Sequence, residues 1–412
     1  MNQLNLFLPC AAGVEEMLCA EVLRVTDITH DEANPNVFIQ RGGVSVKGSW
    51  RDALMLNLWS RLAQRVLVEL SHTPYREERD LYEATSAVAW EIWFTPKETF
   101  KIDITAQHCP LKSLNFAALT IKDAVADRFR HKKGERPSVD THWPHARIHA
   151  HLSATDLTIY IDTSGEPLFK RGWREDKGEA PLKETLAAAM IAASGWDPIA
   201  SPDVPLYDPC CGSGTIAIEA AQMAMRIAPG ISRRFGFEKL LPYQPHVWDA
   251  IKNTAINNQL TMTPGQNIKI FGSDVSHRMA DFAQRNAQRA GVADCIEFRG
   301  GDALQRLPPT DVCGVMLVNP PYGDRIDVAG VAGVQRDVIT RDGELEEDFF
   351  VQLARHWKQH FNGWQAWVLA PDMKLPGRMR LKESRRVPMW NGPIECRLFK
   401  FDIAKPVPRV AK

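Results

Sequence analysis

Long apolar runs are absent from this 412-residue sequence, and none reaches the roughly 20 residues needed to span a bilayer. Net charge of either sign is absent too: 50 Lys and Arg balance 50 Asp and Glu, so indiscriminate polyanion binding is disfavoured, although a basic face remains open. The eight cysteines, Cys10, Cys19, Cys109, Cys210, Cys211, Cys295, Cys313 and Cys396, form no CxxC pair. That excludes a zinc ribbon or disulfide framework, and no metal is expected. Residues following Met1 have neither a positive region nor an apolar one, so no signal peptide is expected and the reading is a cytoplasmic protein with reduced thiols. No internal repeat or low-complexity stretch occurs.

What is present is a change of texture along the chain. With 44% hydrophobic and 24% charged residues, each of two or three domains of about 150 residues can bury its own core. The front third reads as mixed α/β. Strand-like Leu4 to Leu8 precedes an amphipathic helix, Val14 to Val25, and Val37 to Val46 alternates around Gly42-Gly43, which suggests a bulge or a close backbone approach. A helix over Asp52 to Leu62 and a strand over Arg65 to Leu70 follow. Next come a strand from Thr99 to Ala106, a helix from Ser113 to Arg130, and strands at Arg147 to Leu152 and Thr158 to Asp162.

From Pro181 onward, strands and helices alternate. Helix Leu182 to Ser194 is followed by strand Pro205 to Tyr207, helix Thr215 to Met225, strand Ile268 to Gly272, helix Arg278 to Ala290 and strand Cys295 to Arg299. Strand Val312 to Val318, helix Glu344 to Phe361, strand Gln365 to Leu369 and a hairpin of Arg385 to Trp390 with Glu395 to Asp402 complete the series. This pattern predicts a doubly wound sheet whose ligands lie beyond the carboxyl ends of its strands. Two segments, Arg226 to Asn267 and Asp324 to Asp342, read as long loops without strong periodicity.

Each candidate functional residue falls at such a strand end. Asp208-Pro209-Cys210-Cys211-Gly212-Ser213-Gly214-Thr215 sits where the first strand meets its helix, and its small residues let a ligand approach the backbone. It lacks the Gly-Lys-Ser/Thr ending of a phosphate loop, and Ala217 stands where a dinucleotide fingerprint has its third glycine, so the ligand is not a polyphosphate. Asp274 and Asp302 end the next two strands; the first can accept bonds from ribose hydroxyls and the second from an adenine amine. The fourth strand ends in Asn319-Pro320-Pro321-Tyr322. An exocyclic amine on a base is a poor nucleophile because its lone pair is delocalised. The Asn319 side-chain oxygen and the Pro320 carbonyl can each accept one of its N–H bonds and aim the lone pair at a methyl donor, while Tyr322 stacks on the base.

Two runs carry positive charge, Arg128-Phe129-Arg130-His131-Lys132-Lys133 and Lys170-Arg171-Gly172-Trp173-Arg174, and the loop after Arg226 adds Arg233 and Arg234. Either run can be a solvated helix end or linker. Read as an RNA surface, the contacts are Arg128, Arg130, Lys132, Lys133, Lys170, Arg171, Arg174, Arg233 and Arg234, with Phe169 and Trp173 offering rings for stacking.

Together the Asp208–Thr215 turn and the Asn319–Tyr322 tetrapeptide resemble amino-methyltransferases of class I, Rossmann-like fold. Arg171-Gly172-Trp173-Arg174 through Ala180-Pro181-Leu182-Lys183-Glu184-Thr185-Leu186-Ala187-Ala188 resembles the link between a THUMP domain and its methyltransferase domain. Arg41-Gly42-Gly43-Val44, Trp59-Ser60-Arg61-Leu62-Ala63 and Asp80-Leu81-Tyr82 extend the similarity, so nearly the whole chain resembles the RlmL-like family of ribosomal RNA guanine-N2 methyltransferases.

The resemblance implies a ferredoxin-like region at 1–65, a THUMP RNA-binding domain at 66–165 and a methyltransferase domain at 166–412, with a mostly parallel sheet closed by an antiparallel hairpin. It implies S-adenosylmethionine as cofactor, held by Leu182, Glu184, Thr185, Asp208, Cys210, Gly212, Ser213, Gly214, Asp274, Asp302 and Asn319. Asn319, Pro320 and Tyr322 would act on the guanine, and the partner would be large-subunit ribosomal RNA or its precursor. The sequence ends at Lys412 without the second methyltransferase domain fused in some relatives, so the further modification of those forms is not expected here. The long Asp324 to Asp342 segment is a second departure. Other acceptors compatible with the tetrapeptide are a tRNA guanine, adenine N6 in DNA and a protein glutamine. A non-catalytic assembly factor on the same fold is the rival from another class. The sequence does not specify an oligomeric state.

Overall fold

A computed structural model describes residues 3–28, 35–178, 181–261, 269–320 and 348–404. Pro321, Tyr322 and the Asp324 to Asp342 segment therefore lie outside the described residues. The chain folds as two compact units, one of Met1–Cys10, Leu18–Leu168 and Gly230–Thr254, the other of Ala11–Met17, Phe169–Pro229 and Ala255–Lys412. No described helix is long and apolar enough to cross a membrane.

The first unit is built on a seven-stranded sheet. Its strands are β1 (Leu4–Pro9), β2 (Val37–Gln40), β3 (Gly43–Gly48), β4 (Leu67–Pro74), β5 (Phe100–Ala106), β6 (Ala146–Leu152) and β7 (Asp156–Asp162), in the order β2-β3-β1-β4-β7-β6-β5. Only the β5–β6 pair at the edge is parallel. The alternation that marks these strands in sequence is what buries one face. In β6, Ala146, Ile148, Ala150 and Leu152 point inward while Arg147, His149 and His151 point outward. Helices α1 (Glu15–Val25), α2 (Trp50–Trp59), α3 (Glu78–Ala87) and α4 (Leu114–Lys133) complete this unit's main elements. Ser49 caps α2 through a reciprocal bond pair with Asp52. Buried Glu21 accepts bonds from the Ser60 hydroxyl (2.6 Å) and the Arg61 amide (2.9 Å), which offsets the cost of burying its carboxylate.

Two local expectations need correction, and one helix is not anticipated by the sequence pattern. Gly42-Gly43 makes the turn of the β2–β3 hairpin rather than a bulge, with Gly42 at φ 80°, while the close backbone approach is found at Gly43, where a Cβ would lie 2.5 Å from the Leu8 carbonyl oxygen. Helix α3 lies in a stretch to which the sequence pattern assigns no element, because its polar composition (Glu-Arg-Asp-Leu-Tyr-Glu-Ala-Thr-Ser-Ala) hides the short buried stripe of Leu81 and Thr85. The Arg226 to Asn267 segment is not a plain loop. It contains a 3₁₀ turn at Gly236–Lys239 and helix α7 (Pro245–Asn257), and its Gly230–Thr254 portion joins the first unit. Phe235, Phe237 and Trp248 form an aromatic cluster with centroids 5.0 to 5.5 Å apart. The Phe237 and Leu241 amides bond to the carbonyls of Thr163 and Trp93 at 2.9 and 2.8 Å. Irregularly spaced aromatics supply this anchor, so no periodic signal announces it.

The second unit holds another seven-stranded sheet. Its strands are β8 (Leu206–Asp208), β9 (Ile270–Asp274), β10 (Ile296–Gly300), β11 (Val315–Val318), β12 (Gln365–Ala370), β13 (Glu383–Asn391) and β14 (Ile394–Asp402), in the order β10-β9-β8-β11-β12-β14-β13. β10 through β12 are parallel, and the β13–β14 hairpin is antiparallel, as the alternation predicts. Helices α5 (Glu184–Ser194), α6 (Thr215–Ala224), α8 (His277–Arg289), α9 (Phe349–His360) and α10 (Leu375–Met379) belong here. Tyr207, Met316, Val318, Trp357, Phe361 and Phe399 centre the core on one sheet face. The chain enters at β8, winds outward to β10 and returns to β11 beside β8. That reversal is a topological switch point, where open α/β sheets bind ligands.

Candidate functional site

The site grows from the turn between β8 and α6. Gly212 and Gly214 take φ of 52° and 87°, the left-handed region in which a side chain is strained. A Cβ on Gly214 would lie 2.9 Å from Ala283 Cβ and 3.1 Å from Phe298, so α8 and β10 require glycine there. Around Gly212 no described residue lies within 4 Å of such an atom, which leaves space over the turn among the described residues.

Three carboxylates converge on that turn from successive strand ends. Asp208 is 2% exposed, and its Oδ1 accepts the Cys210 amide at 3.1 Å. Asp274 accepts the Gly212 amide on Oδ2 (2.9 Å) and the Ser276 amide on Oδ1 (2.9 Å), which ties the ends of β8 and β9 together. Asp302 Oδ1 accepts the Leu304 amide at 2.9 Å. Burial, reinforced by Asp274, pushes the Asp208 acid up to about 8. Burial also raises Asp274, against the pull of its two amide donors. Both cysteines of the turn have thiols pushed well up, by burial first and then by the neighbouring carboxylates, so they are inert packing groups rather than nucleophiles.

A second layer holds the turn in place. The Arg174 guanidinium donates to Glu184 Oε1 (2.9 Å), Ser213 Oγ (2.7 Å), Thr215 Oγ1 (2.8 Å) and the Leu182 carbonyl (3.1 Å). It also lies 5.0 Å over the Trp173 ring. Burial raises the Glu184 acid, and Arg174 pulls it back. On α8, fully buried Asn286 donates to the carbonyls of Ser213 (3.1 Å) and Asp176 (2.8 Å).

At the end of β11, the neighbour of β8, the Asn319 Oδ1 atom is buried and has no hydrogen-bond partner among the described residues. An unsatisfied buried acceptor costs about 1–3 kcal/mol.

The structure thus brings together Leu182, Glu184, Asp208, Cys210, Gly212, Ser213, Gly214, Asp274 and Asp302, with Thr185 on the same helix end and Asn319 and Pro320 on the adjoining strand. It scatters the basic residues. Arg171 is 3% exposed and paired with fully buried Glu219 at 3.0 Å, so it cannot meet phosphate. Arg174 belongs to the turn, and Trp173 is 4% exposed beneath it rather than free to stack. Arg128 grips Glu91 through Nε (3.1 Å) and Nη2 (2.6 Å), and Arg233 donates to the Pro167 carbonyl (2.9 Å) while lying over Phe235. These four are structural arginines. Lys132, Lys133, Lys170 and Arg234 are exposed; Arg130 is exposed but pairs with Asp127 at 3.3 Å.

Sequence reasoning missed Asn286, although an asparagine in the Ala280, Ala283, Ala287 stripe of α8 is a visible signal. It also misassigned Arg174, whose partners are too dispersed to be read from spacing.

Three family models match this chain: "RMKL-like, methyltransferase domain" at residues 171–400, the THUMP domain at 75–162 and the RlmL ferredoxin-like domain at 5–67. The ribosomal RNA large subunit methyltransferase K/L of Psychromonas ingrahamii is 38% identical over 99% of this chain and 51% of that protein. Its namesake from Shewanella pealeana is 37% identical over 95% of this chain and 52% of that one. The chain spans about half the length of these curated relatives. Among solved structures, SMU.472 in complex with SAH superposes with a TM-score of 0.82 at 26% identity, covering 99% of this chain and 100% of the other. A protein from Listeria monocytogenes described as a predicted N6-adenine-specific DNA methylase gives 0.79 at 27% identity, covering 97% and 96%.

Proposed function

Because this chain belongs to the RMKL-like methyltransferase-domain family, we propose that its second unit methylates the exocyclic N2 amine of a guanine in large-subunit ribosomal RNA, with S-adenosylmethionine as donor. The observation that carries the reading is the gathering of Asp208, Asp274 and Asp302 at a glycine turn after β8, beside the neighbouring strand β11, after which the buried Asn319 oxygen has no partner among the described residues. A donor with cationic sulfonium and ammonium groups suits those carboxylates and would favour their ionised forms.

Each residue then has a task. Asp274 keeps a free lone pair on each oxygen and accepts from the ribose hydroxyls. Asp302 accepts from the adenine amine. Glu184, Thr185 and Leu182 line the amino-acid end of the donor, and the turn at Cys210 to Gly214 lies beneath it. When bound, the donor supplies an electrophilic methyl group. Asn319 Oδ1 and the Pro320 carbonyl accept the two N–H bonds of the guanine amine and hold its lone pair toward that methyl, and Tyr322 stacks on the extruded base. A base already unpaired costs least to extrude, so the target lies in a loop or an opened stem. The first unit, with its THUMP region, grips the RNA. The relatives' name supports ribosomal RNA over tRNA.

The test is transfer of labelled methyl to purified large-subunit RNA and, separately, to tRNA, followed by digestion to nucleosides. N2-methylguanosine in the ribosomal RNA alone is expected. Label in tRNA would move the acceptor, and label in neither would leave a non-catalytic assembly factor as the better reading.

Arg174 acts through Glu184 in this scheme. Arg174→Met should weaken S-adenosylmethionine binding roughly tenfold, the value of one charge-assisted contact. Without its cation the Glu184 acid rises further above its ordinary range, so less of it is ionised at a given pH. Calorimetric Kd for the variant should therefore tighten as pH rises, more steeply than for the wild type. Adding Glu184→Gln should flatten the profile, and a flat profile in the single variant would remove Arg174 from this role.

A further inference from the structure

Trp143 is the most exposed large apolar side chain among the described residues, at 77% of its surface, and it belongs to the first unit. An exposed indole beside cations is the arrangement on which unpaired bases stack. The backbone that carries the ring is ordered by a side-chain cap. Asp140 Oδ1 accepts the backbone amides of His142 (2.9 Å) and Trp143 (3.0 Å), fixing the turn that projects it.

Topology sets this turn beside the basic end of α4. The Phe129 ring of α4 lies 4.9 Å from Phe94, which lies 6.2 Å from Phe100 at the start of β5. The Phe100 amide donates to the Ser138 carbonyl (3.0 Å), its carbonyl accepts the Asp140 amide (3.1 Å), and the His145 amide donates to the Thr99 carbonyl (3.0 Å). Residues 138–145 and the last turn of α4 thus share one end of the edge strand. That end carries exposed Lys132, Lys133 and Arg136, while Asp127 is taken up by Arg130, Asp140 by the turn, and exposed Glu135 is the remaining acid of the run.

From this juxtaposition we infer that Trp143, flanked by Lys132, Lys133 and Arg136, is a stacking platform for an unpaired nucleotide of RNA, with the cations on the flanking phosphates. The occupant follows from chemistry: a flat ring stacks on any base, and neighbouring cations neutralise the backbone. The inference rests on the RNA-acceptor reading above and adds the surface by which the first unit holds single-stranded RNA.

The full chain is titrated against a fluorescein-labelled single-stranded RNA 12-mer and a duplex of equal length, by anisotropy at several salt concentrations. Trp143→Ala should weaken single-strand binding about tenfold and duplex binding far less, since stacking is worth about 1–3 kcal/mol per base. Trp143→Phe should restore most of the affinity. Lys132→Ala with Lys133→Ala should instead lower the salt slope by about 0.7 for each phosphate left without its cation. Single-strand affinity within twofold of wild type in Trp143→Ala would overturn the platform, as would an equal loss on the duplex. Should the wild type bind neither RNA, the acceptor reading itself fails, which separates the two outcomes.

Discussion

Asn319→Ala should cut methyl transfer by about 10²–10³-fold while leaving the protein as stable as the wild type or more so. The size follows from removing one preorganised group that acts on the reacting atom, in the range found for single oxyanion-hole donors. The direction of the stability change follows from the buried Asn319 Oδ1, which has no partner among the described residues. Deleting an unsatisfied acceptor removes its desolvation cost of about 1–3 kcal/mol. Single-turnover rates beside thermal melts would check both halves. A matching fall in activity and melting temperature would recast Asn319 as structural. Asn319→Asp offers a sharper comparison: it keeps an acceptor but adds a negative charge, and it should recover only part of the rate.

The second large effect concerns stability. Arg171 and Glu219 pair at 3.0 Å with side chains 2% and 0% exposed. Arg171→Met strands the carboxylate in the core and should cost about 3–5 kcal/mol, the range for breaking a buried pair by losing one partner. For a domain of this size that lowers the melting temperature on the order of 10 °C. Replacing both, Arg171→Met with Glu219→Gln, should recover most of the loss, because a neutral amide is far cheaper to bury than a lone charge. Denaturant titrations of the two singles and the double would measure the coupling. A single variant within about 0.5 kcal/mol of wild type would show the pair to be incidental.

How much of the molecule is legible in its sequence divides along a physical line. The doubly wound sheet is readable because strands and helices impose periods of 2 and 3.6 on neighbouring residues, as in Ala280, Ala283 and Ala287 of α8 or the alternating β6. The turn at Asp208 and the strand end at Asn319 are readable because their chemistry is local. What stays hidden depends on distant partners. Arg171 and Arg174 look alike in a basic run, but one meets Glu219, 48 residues on, and the other meets Glu184, Ser213 and Thr215. Charge in sequence does not say whether a guanidinium faces water or a buried carboxylate. The Phe235, Phe237 and Trp248 anchor is hidden for the same reason, since its spacing follows tertiary packing and not a helical or strand period.

That anchor also decides how the protein can be divided. Besides the short Ala11–Met17 excursion, the chain passes from the first unit to the second after Leu168, returns at Gly230 and leaves again after Thr254. A gene fragment beginning at Phe169 would carry Phe235, Phe237 and Trp248 without the surface they fill, and one ending at Leu168 would expose the seat they left. Neither half is a transplantable module: exchanging catalytic or RNA-gripping parts between homologues requires moving Gly230–Thr254 with the front unit, as a two-piece graft.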